Sequence, residues 1–402
     1  MHYNRIPRLL PAVALLALMA CDPTPQNPLD AIMASDAPQI KRITDNLTKH
    51  EVQILYMQID RDAQGNPVFT EHGFQLDNQQ YFYPASTAKM PVAILALQKI
   101  NELKKAGKDI SKESPFAISD YDNSRVLVEG DSTEENGNLT AAHLIKKIFL
   151  VSNNDAYNYL FDFLGRDYVN EQFRSKNIGP AHINHKFLYG ADNSQTWPMT
   201  FSSHDSISYT QAGIHSQVSK HVYPLQGMIK GVGYTDNEGK LFNEPFDFSE
   251  KNYFSIRSLN KIMKGIIFPE SLPENERFGL TGEDYEFLRF WMSRTALESQ
   301  YPNYNDGEHW DSYVKFFMYG DTREPMPGHI RIFNKVGMAY GTLTDVAYIR
   351  DEENDIEFML TATIHINENG IFNDGVYEYD ELGLPFLAEL GRQVYDHELK
   401  RK

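Results

Sequence analysis

Tyr83-Pro84-Ala85-Ser86-Thr87-Ala88-Lys89 opens a helical pattern that runs to about Lys105, with Val92, Leu95, Leu97, Ile100 and Leu103 as apolar positions. Ala106-Gly107 then gives a C-terminal stop signal. Ser86 and Lys89 stand three residues apart, so both side chains share one helix face about one turn apart. A serine hydroxyl is a poor nucleophile unless a base lies within hydrogen-bond reach. A lysine serves as that base if burial or nearby positive charge lowers its pKa. The helix N-terminus adds support for negative charge. A serine N-cap with a chance lysine would read the same way, so the surroundings decide.

Upstream, Val52 to Ile59 is rich in β-formers, Ala63-Gln64-Gly65-Asn66 reads as a turn, and a second strand follows near Val68 to Gly73. That is a hairpin signal. Residues 27 to 50 read as a helix with Pro38 near its start. Downstream, residues 110 to 200 read as mainly helical. The stretch 202 to 254 has weak periodicity, with a hairpin expected over Gly231 to Phe248 around Asp236-Asn237-Glu238-Gly239. Helical pattern returns at Ser255 to Ile267 and Thr281 to Ser293. Three strand-like runs follow, Ile330 to Lys335, Thr342 to Arg350 and Ile356 to Ile366, then a helix from about Asp380 to Leu399. This order predicts an α/β (α+β) fold: one five-stranded antiparallel sheet, terminal helices on one face, and an all-α lobe built from the middle block. A cleft between sheet and lobe is the natural binding site.

Two further constellations fall where that cleft needs them. Val151-Ser152-Asn153-Asn154-Asp155 precedes an apolar helical pattern. Ser152 is placed to pass a proton to a leaving group, and Asn154 to bind a substrate amide and hold Lys89. Phe333-Asn334-Lys335-Val336-Gly337-Met338 puts a lysine on a strand, followed by a glycine that permits close backbone approach. Lys335 offers positive charge to a substrate carboxylate and to the serine–lysine pair. Each motif alone has a plain structural alternative: an N-cap for the second, an exposed strand lysine for the third.

In the order S-x-x-K, S-x-N, K-x-G, the three motifs resemble those of the class A β-lactamase and penicillin-binding-protein superfamily of active-site serine hydrolases. The resemblance covers about residues 40 to 398 apart from the 202–254 stretch. It extends to an envelope serine-hydrolase group with a class A-type domain, through F-N-K-V-G and Gly383-Leu384-Pro385-Phe386. It implies a β-lactamase/transpeptidase-like fold with Ser86 acylated and Lys89 as base. Ser152 would transfer the proton, and Asn154, Lys335, Gly337 and Met338 would serve substrate binding. The backbone N–H groups of Ser86 and Met338 would form the oxyanion hole. No cofactor and no metal are called for.

Two departures bear on turnover. Class A enzymes carry a deacylating glutamate in an E-x-x-L-N loop, and no glutamate occurs here from Phe173 through Asn237. Slow deacylation follows, with Asp192, His204 and Asp205 as weak substitutes. Val336 stands where the family has Thr or Ser, which removes a hydroxyl that helps bind the substrate carboxylate. The 202–254 stretch is expected to form a lid or wall at the cleft, with Trp197, Tyr209, Tyr223 and Tyr234 available for contacts. His182 and His185 have poor metal spacing, and Gly231-Val232-Gly233 lacks the strand–helix setting of a nucleotide loop.

The N-terminus reads separately. Arg5 and Arg8 precede an apolar run from Leu9 to Met19, too short to span a bilayer and suited to a secretory signal. It ends in Leu18-Met19-Ala20-Cys21, which resembles a bacterial lipobox. The expected division is a signal over 1–20, a lipidated Cys21 with a tether to residue 39, and the hydrolase domain over 40–398. That places the protein in the cell envelope, attached to membrane by lipid. Cys21 is the single cysteine of the 402 residues, so internal disulfides and multi-cysteine metal sites are excluded. Lys and Arg number 38 against 55 Asp and Glu, a net charge of −17. That field repels nucleic acid; the resemblance implies a small-molecule or peptidoglycan-derived substrate. The rival readings are a D,D-peptidase or esterase, and an envelope binding protein that lost the chemistry. The last has no need of all five polar residues.

Overall fold

The strands at the two ends of the chain meet in one antiparallel sheet. A computed structural model describes residues 27–188, 190–203, 206–217 and 223–402. The expected signal, Cys21, His204 and Asp205 lie outside the described residues. The sheet order is Ile330–Ala339, Thr342–Asp351, Ile356–His365, Gln53–Arg61, Pro67–Phe74. The seam between the two groups pairs Gln53 with Thr363 and Gln58 with Phe358. The three inner strands are buried almost throughout, while Pro67–Phe74 at one edge alternates with solvent.

Side-chain alternation sends each strand into two cores. Leu55, Met57 and Ile59 pack with the helical lobe, and Ile54 and Tyr56 pack with the terminal helices. Each buried Leu, Ile or Phe adds about 1.5–3 kcal/mol of transfer free energy. The helix Lys89–Lys105 passes through the lobe and is buried all round through Gln98. An apolar circumference is what a central helix requires.

The lobe differs in detail from an all-helical one. Helices Ala141–Val151, Asn154–Leu164 and Arg166–Ser175 form its body, and a four-stranded sheet covers its flank. That sheet pairs Phe116–Ser119 with Met199–Ser203, which in turn pairs with Ser206–Gln211. The expected 27–50 helix is three short ones, Pro28–Met33, Pro38–Thr44 and Leu47–His50. Pro38 opens the second, and the Asn46 side chain caps the third. Leu29, Ile32 and Met33 are buried, and Asn27 Nδ2 donates to Gly73 O at 2.9 Å. The folded unit therefore includes residues from 27 onward, and the tether boundary at residue 39 moves back accordingly.

The 231–248 hairpin forms as expected. Gly233–Thr235 pairs with Leu241–Phe242, and Ile229–Lys230 with Phe246–Asp247. Asp236 Oδ1 accepts from the N–H groups of Glu238 and Lys240, closing the turn. Tyr81, Tyr83, Phe248, Tyr253 and Phe372 make a third apolar cluster that welds this segment to the chain just before Ser86.

Candidate active site

Ser86 sits in a single tight turn, Ala85–Ala88, that leads directly into the helix Lys89–Lys105. Thr87 Oγ1 donates to Pro84 O at 2.6 Å and fixes the turn. Ala85 holds φ at +45°, a left-handed conformation that costs a non-glycine residue about 1–3 kcal/mol. Ser86 lines a cleft of about 800 Å³. Its side chain makes no hydrogen bond to a described residue.

One turn on, Lys89 is fully buried. Its Nζ donates to Asn154 Oδ1 at 2.7 Å, to Ser152 Oγ at 3.3 Å, and to Ser152 O. The Phe187 ring lies over it at 5.1 Å. The acceptors are neutral, so burial dominates and pulls the Lys89 pKa down to about 7, with Asp155 working weakly against it. A shift of that size corresponds to about 5 kcal/mol between the two protonation states.

The S-x-N residues join two helices. Ser152 takes a left-handed conformation at the end of Ala141–Val151, and Asn153 caps the next helix by accepting from Ala156 N at 2.8 Å. Asn153 thus does the capping, which leaves Ser152 and Asn154 free to meet Lys89.

Lys335 comes from the edge strand Ile330–Ala339. Its Nζ donates to Ser152 Oγ at 2.8 Å and to Val336 O at 2.8 Å. It is buried. Burial, then the charge of Lys89, pushes its pKa well below the usual lysine value. Ser152 Oγ therefore sits between two amines.

Gly337 touches the Ser86 turn: a Cβ there would stand 2.4 Å from Pro84 O and 3.1 Å from Thr87 N. Met338 is half exposed on the cleft wall. Val336 faces the other way, buried among the residues under the terminal helices, because alternate strand residues point to opposite faces. Tyr340-Gly341, both at positive φ, make the two-residue turn to the next strand and place the Tyr340 ring on the cleft. Beneath Lys335, Asn334 bridges a buried Lys315 and a buried Asp345, at 2.8 Å on each side. Burial lowers Lys315 to about 7 and raises Asp345 to about 6.

The opposite wall comes from residues 184–188, from Gly190, Ala191 and Asn193, and from the hairpin segment. Sequence reasoning missed most of it. His185 stacks on Tyr83 with ring centres 6.1 Å apart, and its Nδ1 faces Lys186 O at 2.9 Å. Burial lowers its pKa to about 4, so it is neutral at pH 7. Asn158 holds the Phe187 backbone, accepting from its N–H at 2.8 Å. Lys186 is paired with Asp162 at 2.7 Å, both side chains without exposure.

The aromatic contacts fall elsewhere than expected. Trp197 packs on Lys186, Tyr209 on Phe201, and Tyr234 on Phe242 and Phe246. The cleft is lined by Phe246, Asp247, Ser249, Glu250 and Lys251 instead. Asp192 also turns away: its carboxylate accepts from Ser194 and Gln195 within its own loop. It is a loop cap and does not face Ser86.

The model of the beta-lactamase enzyme family matches residues 37–222. No curated protein matches the chain. Among solved structures, PBP-A superposes with a TM-score of 0.52 at 15% identity, covering 93% of this chain and 97% of that one. A PBP-A variant captured as an acyl-enzyme complex with penicillin G gives the same score and identity, over 92% and 97%. A β-lactamase from Sphaerobacter thermophilus aligns over 92% of this chain and 96% of its own at 12% identity, with a TM-score of 0.46.

Proposed function

We propose that the chain, whose residues 37–222 match the model of the beta-lactamase enzyme family, is an active-site serine acyl-hydrolase acylated at Ser86. The observation that carries this reading is Lys89: a buried amine one turn from Ser86, held by neutral acceptors, with a pKa lowered to about 7. A lysine of that pKa is half neutral at pH 7 and takes the Ser86 proton as Oγ attacks an ester, amide or lactam carbonyl. The N–H groups of Ser86 and Met338 hold the oxyanion. Ser152 Oγ, hydrogen-bonded to both lysines, returns the proton to the leaving group.

Hydrolysis of the acyl-enzyme is slow. It needs a base for water, and the carboxylates that line the cleft, Asp247 and Glu250, are exposed. Asp247 is further committed to Ser249 N at 2.8 Å. A β-lactam therefore acylates Ser86 more readily than it is released.

Purified protein incubated with a fluorescent penicillin and, separately, a fluorophosphonate tests this by mass spectrometry. Label on Ser86 that disappears in Ser86→Ala is the expected result. Label by the fluorophosphonate alone identifies an esterase or amidase, and stable penicillin label a D,D-peptidase-like enzyme. Absence of both labels refutes the catalytic reading, and fast nitrocefin turnover refutes slow deacylation.

We also propose lipid attachment through Cys21, facing the periplasm. None of the described helices is long and apolar enough to cross a membrane. Release of Cys21→Ser from the membrane fraction is the expected outcome, and its retention refutes the anchor.

A further inference from the structure

Lysines 89, 186, 251 and 335 stand at or just behind the cleft, and three of them are engaged. Lys89 and Lys335 meet at Ser152, and Lys186 is paired with Asp162. Lys251 lines the cleft, and its side-chain amine makes no hydrogen bond or ion pair with a described residue. Its Nζ lies 5.6 Å from the ring centre of Phe246 and 5.8 Å from that of Tyr340, and both rings line the same cleft. At such distances the rings hold an ammonium with only about 0.5–1 kcal/mol.

The backbone here is fixed. Lys251 N donates to Phe248 O at 2.9 Å, and the next residue, the fully buried Asn252, accepts from the N–H groups of Asn184 and His185. The charge of Lys251 reaches His185, whose pKa it helps to depress. The amine is therefore held at the cleft, partly desolvated, with the charge of Glu250 felt through space and no carboxylate of a described residue in hydrogen-bond reach.

The geometry points to Lys251 as the seat for a carboxylate on the substrate, with Phe246 and Tyr340 flanking the chain that carries it. Lys335, the lysine marked by motif, is buried and committed to Ser152 Oγ and Val336 O, and Val336 is turned to the other face of its strand. The carboxylate site thus moves from the edge strand to the hairpin segment. The preferred substrate is an acyl ester or amide whose acyl chain ends in a carboxylate. The chemistry rests on the Ser86 reading, whereas the binding does not.

Two 4-nitrophenyl esters separate these points: the monoester of succinic acid, and the butyrate, which has a methyl in place of the carboxylate. The expected result is a kcat/KM about tenfold or more higher for the succinate, carried by KM. That ratio falls toward one in Lys251→Met and survives in Lys251→Arg. A ratio that Lys251→Met leaves unchanged overturns the proposal. Calorimetric binding of the succinate monoanilide to Ser86→Ala protein reads the site without turnover. Binding lost in Ser86→Ala/Lys251→Met keeps the carboxylate site even if neither ester is hydrolysed, a result that would sink the Ser86 reading alone. Binding unaffected by the second substitution overturns the Lys251 assignment.

Discussion

Two buried lysine regions lie side by side in the lobe, and they solve the same problem in opposite ways. Lys186 is inside the fold with a carboxylate, Asp162, at 2.7 Å. Lys89 is equally buried but faces a carbonyl, a hydroxyl and an amide oxygen, with a second lysine beyond the hydroxyl. The first arrangement keeps an ion pair intact and pins the wall at Lys186 to the helix Asn154–Leu164. The second withholds the counter-charge, and burial then drives the amine toward neutrality. The presence or absence of one carboxylate separates a structural lysine from a base.

The comparison breaks most visibly at Lys89. Lys89→Met should reduce Ser86 labelling by about 10²–10⁴-fold, the span of general-base assistance. Stability should stay level or rise, because an unpaired buried amine is removed. Urea unfolding beside fluorophosphonate labelling reads both. Lys186→Met should do the reverse. It strands Asp162 in the interior, and breaking a buried pair is worth about 3–5 kcal/mol of stability. Burial already raises Asp162 to about 6. Without Lys186 that value climbs further, so the variant's native state binds a proton the unfolded chain does not. The loss should therefore be full at pH 7 and shrink as pH falls toward 5. An equal loss at both pH values would mean that the ion pair is not its source.

Much of this contrast was already written in the sequence, but in a form that one motif does not capture. The sheet, the central helix and the three motifs are local patterns, with period-2 runs, an apolar helix and fixed spacings. One helix carries Asn154, Asn158 and Asp162, four residues apart on a single face. They hold Lys89, the Phe187 backbone and Lys186 in turn. Polar residues at i, i+4 and i+8 of a buried helix were a legible signal, of which only the first was used. Other parts had no local signature. Ala85 takes a left-handed conformation without being glycine, because the contacts around it impose it. Lys315 reaches Asn334, and Lys251 reaches Tyr340, only once distant segments have packed. The break of residues 27–50 at Pro38 was visible, but the burial of Leu29 depended on the last helix and was not.

The edge strand sharpens the comparison from the other side, since it fixes where the serine stands relative to the bases. Gly337→Ala puts a Cβ against Pro84 O and Thr87 N, both backbone atoms. Neither gives way without moving the Ser86 turn or the strand. A displacement near 1 Å is enough for about a 10²-fold loss. The expected outcome is a labelling rate lowered by about that factor in a folded protein. A rate within twofold of the parent would show that the turn and strand move together without harm.

The smallest effect probes the counter-charge itself. The acid limb of the labelling rate should have its midpoint near pH 7, falling tenfold per unit below it, because only neutral Lys89 accepts the Ser86 proton. Asp155 is the nearest opposing influence and raises that pKa from an exposed position. Asp155→Asn should move the limb to lower pH, since the protonated amine loses an attraction. The move should stay under about half a pH unit, as exposed pairs are worth at most about 1 kcal/mol. Added salt should shrink the difference between the two proteins by screening the exposed carboxylate. A limb that moves to higher pH, or by more than a unit, would mean that Asp155 acts on Lys89 through structure and not through charge.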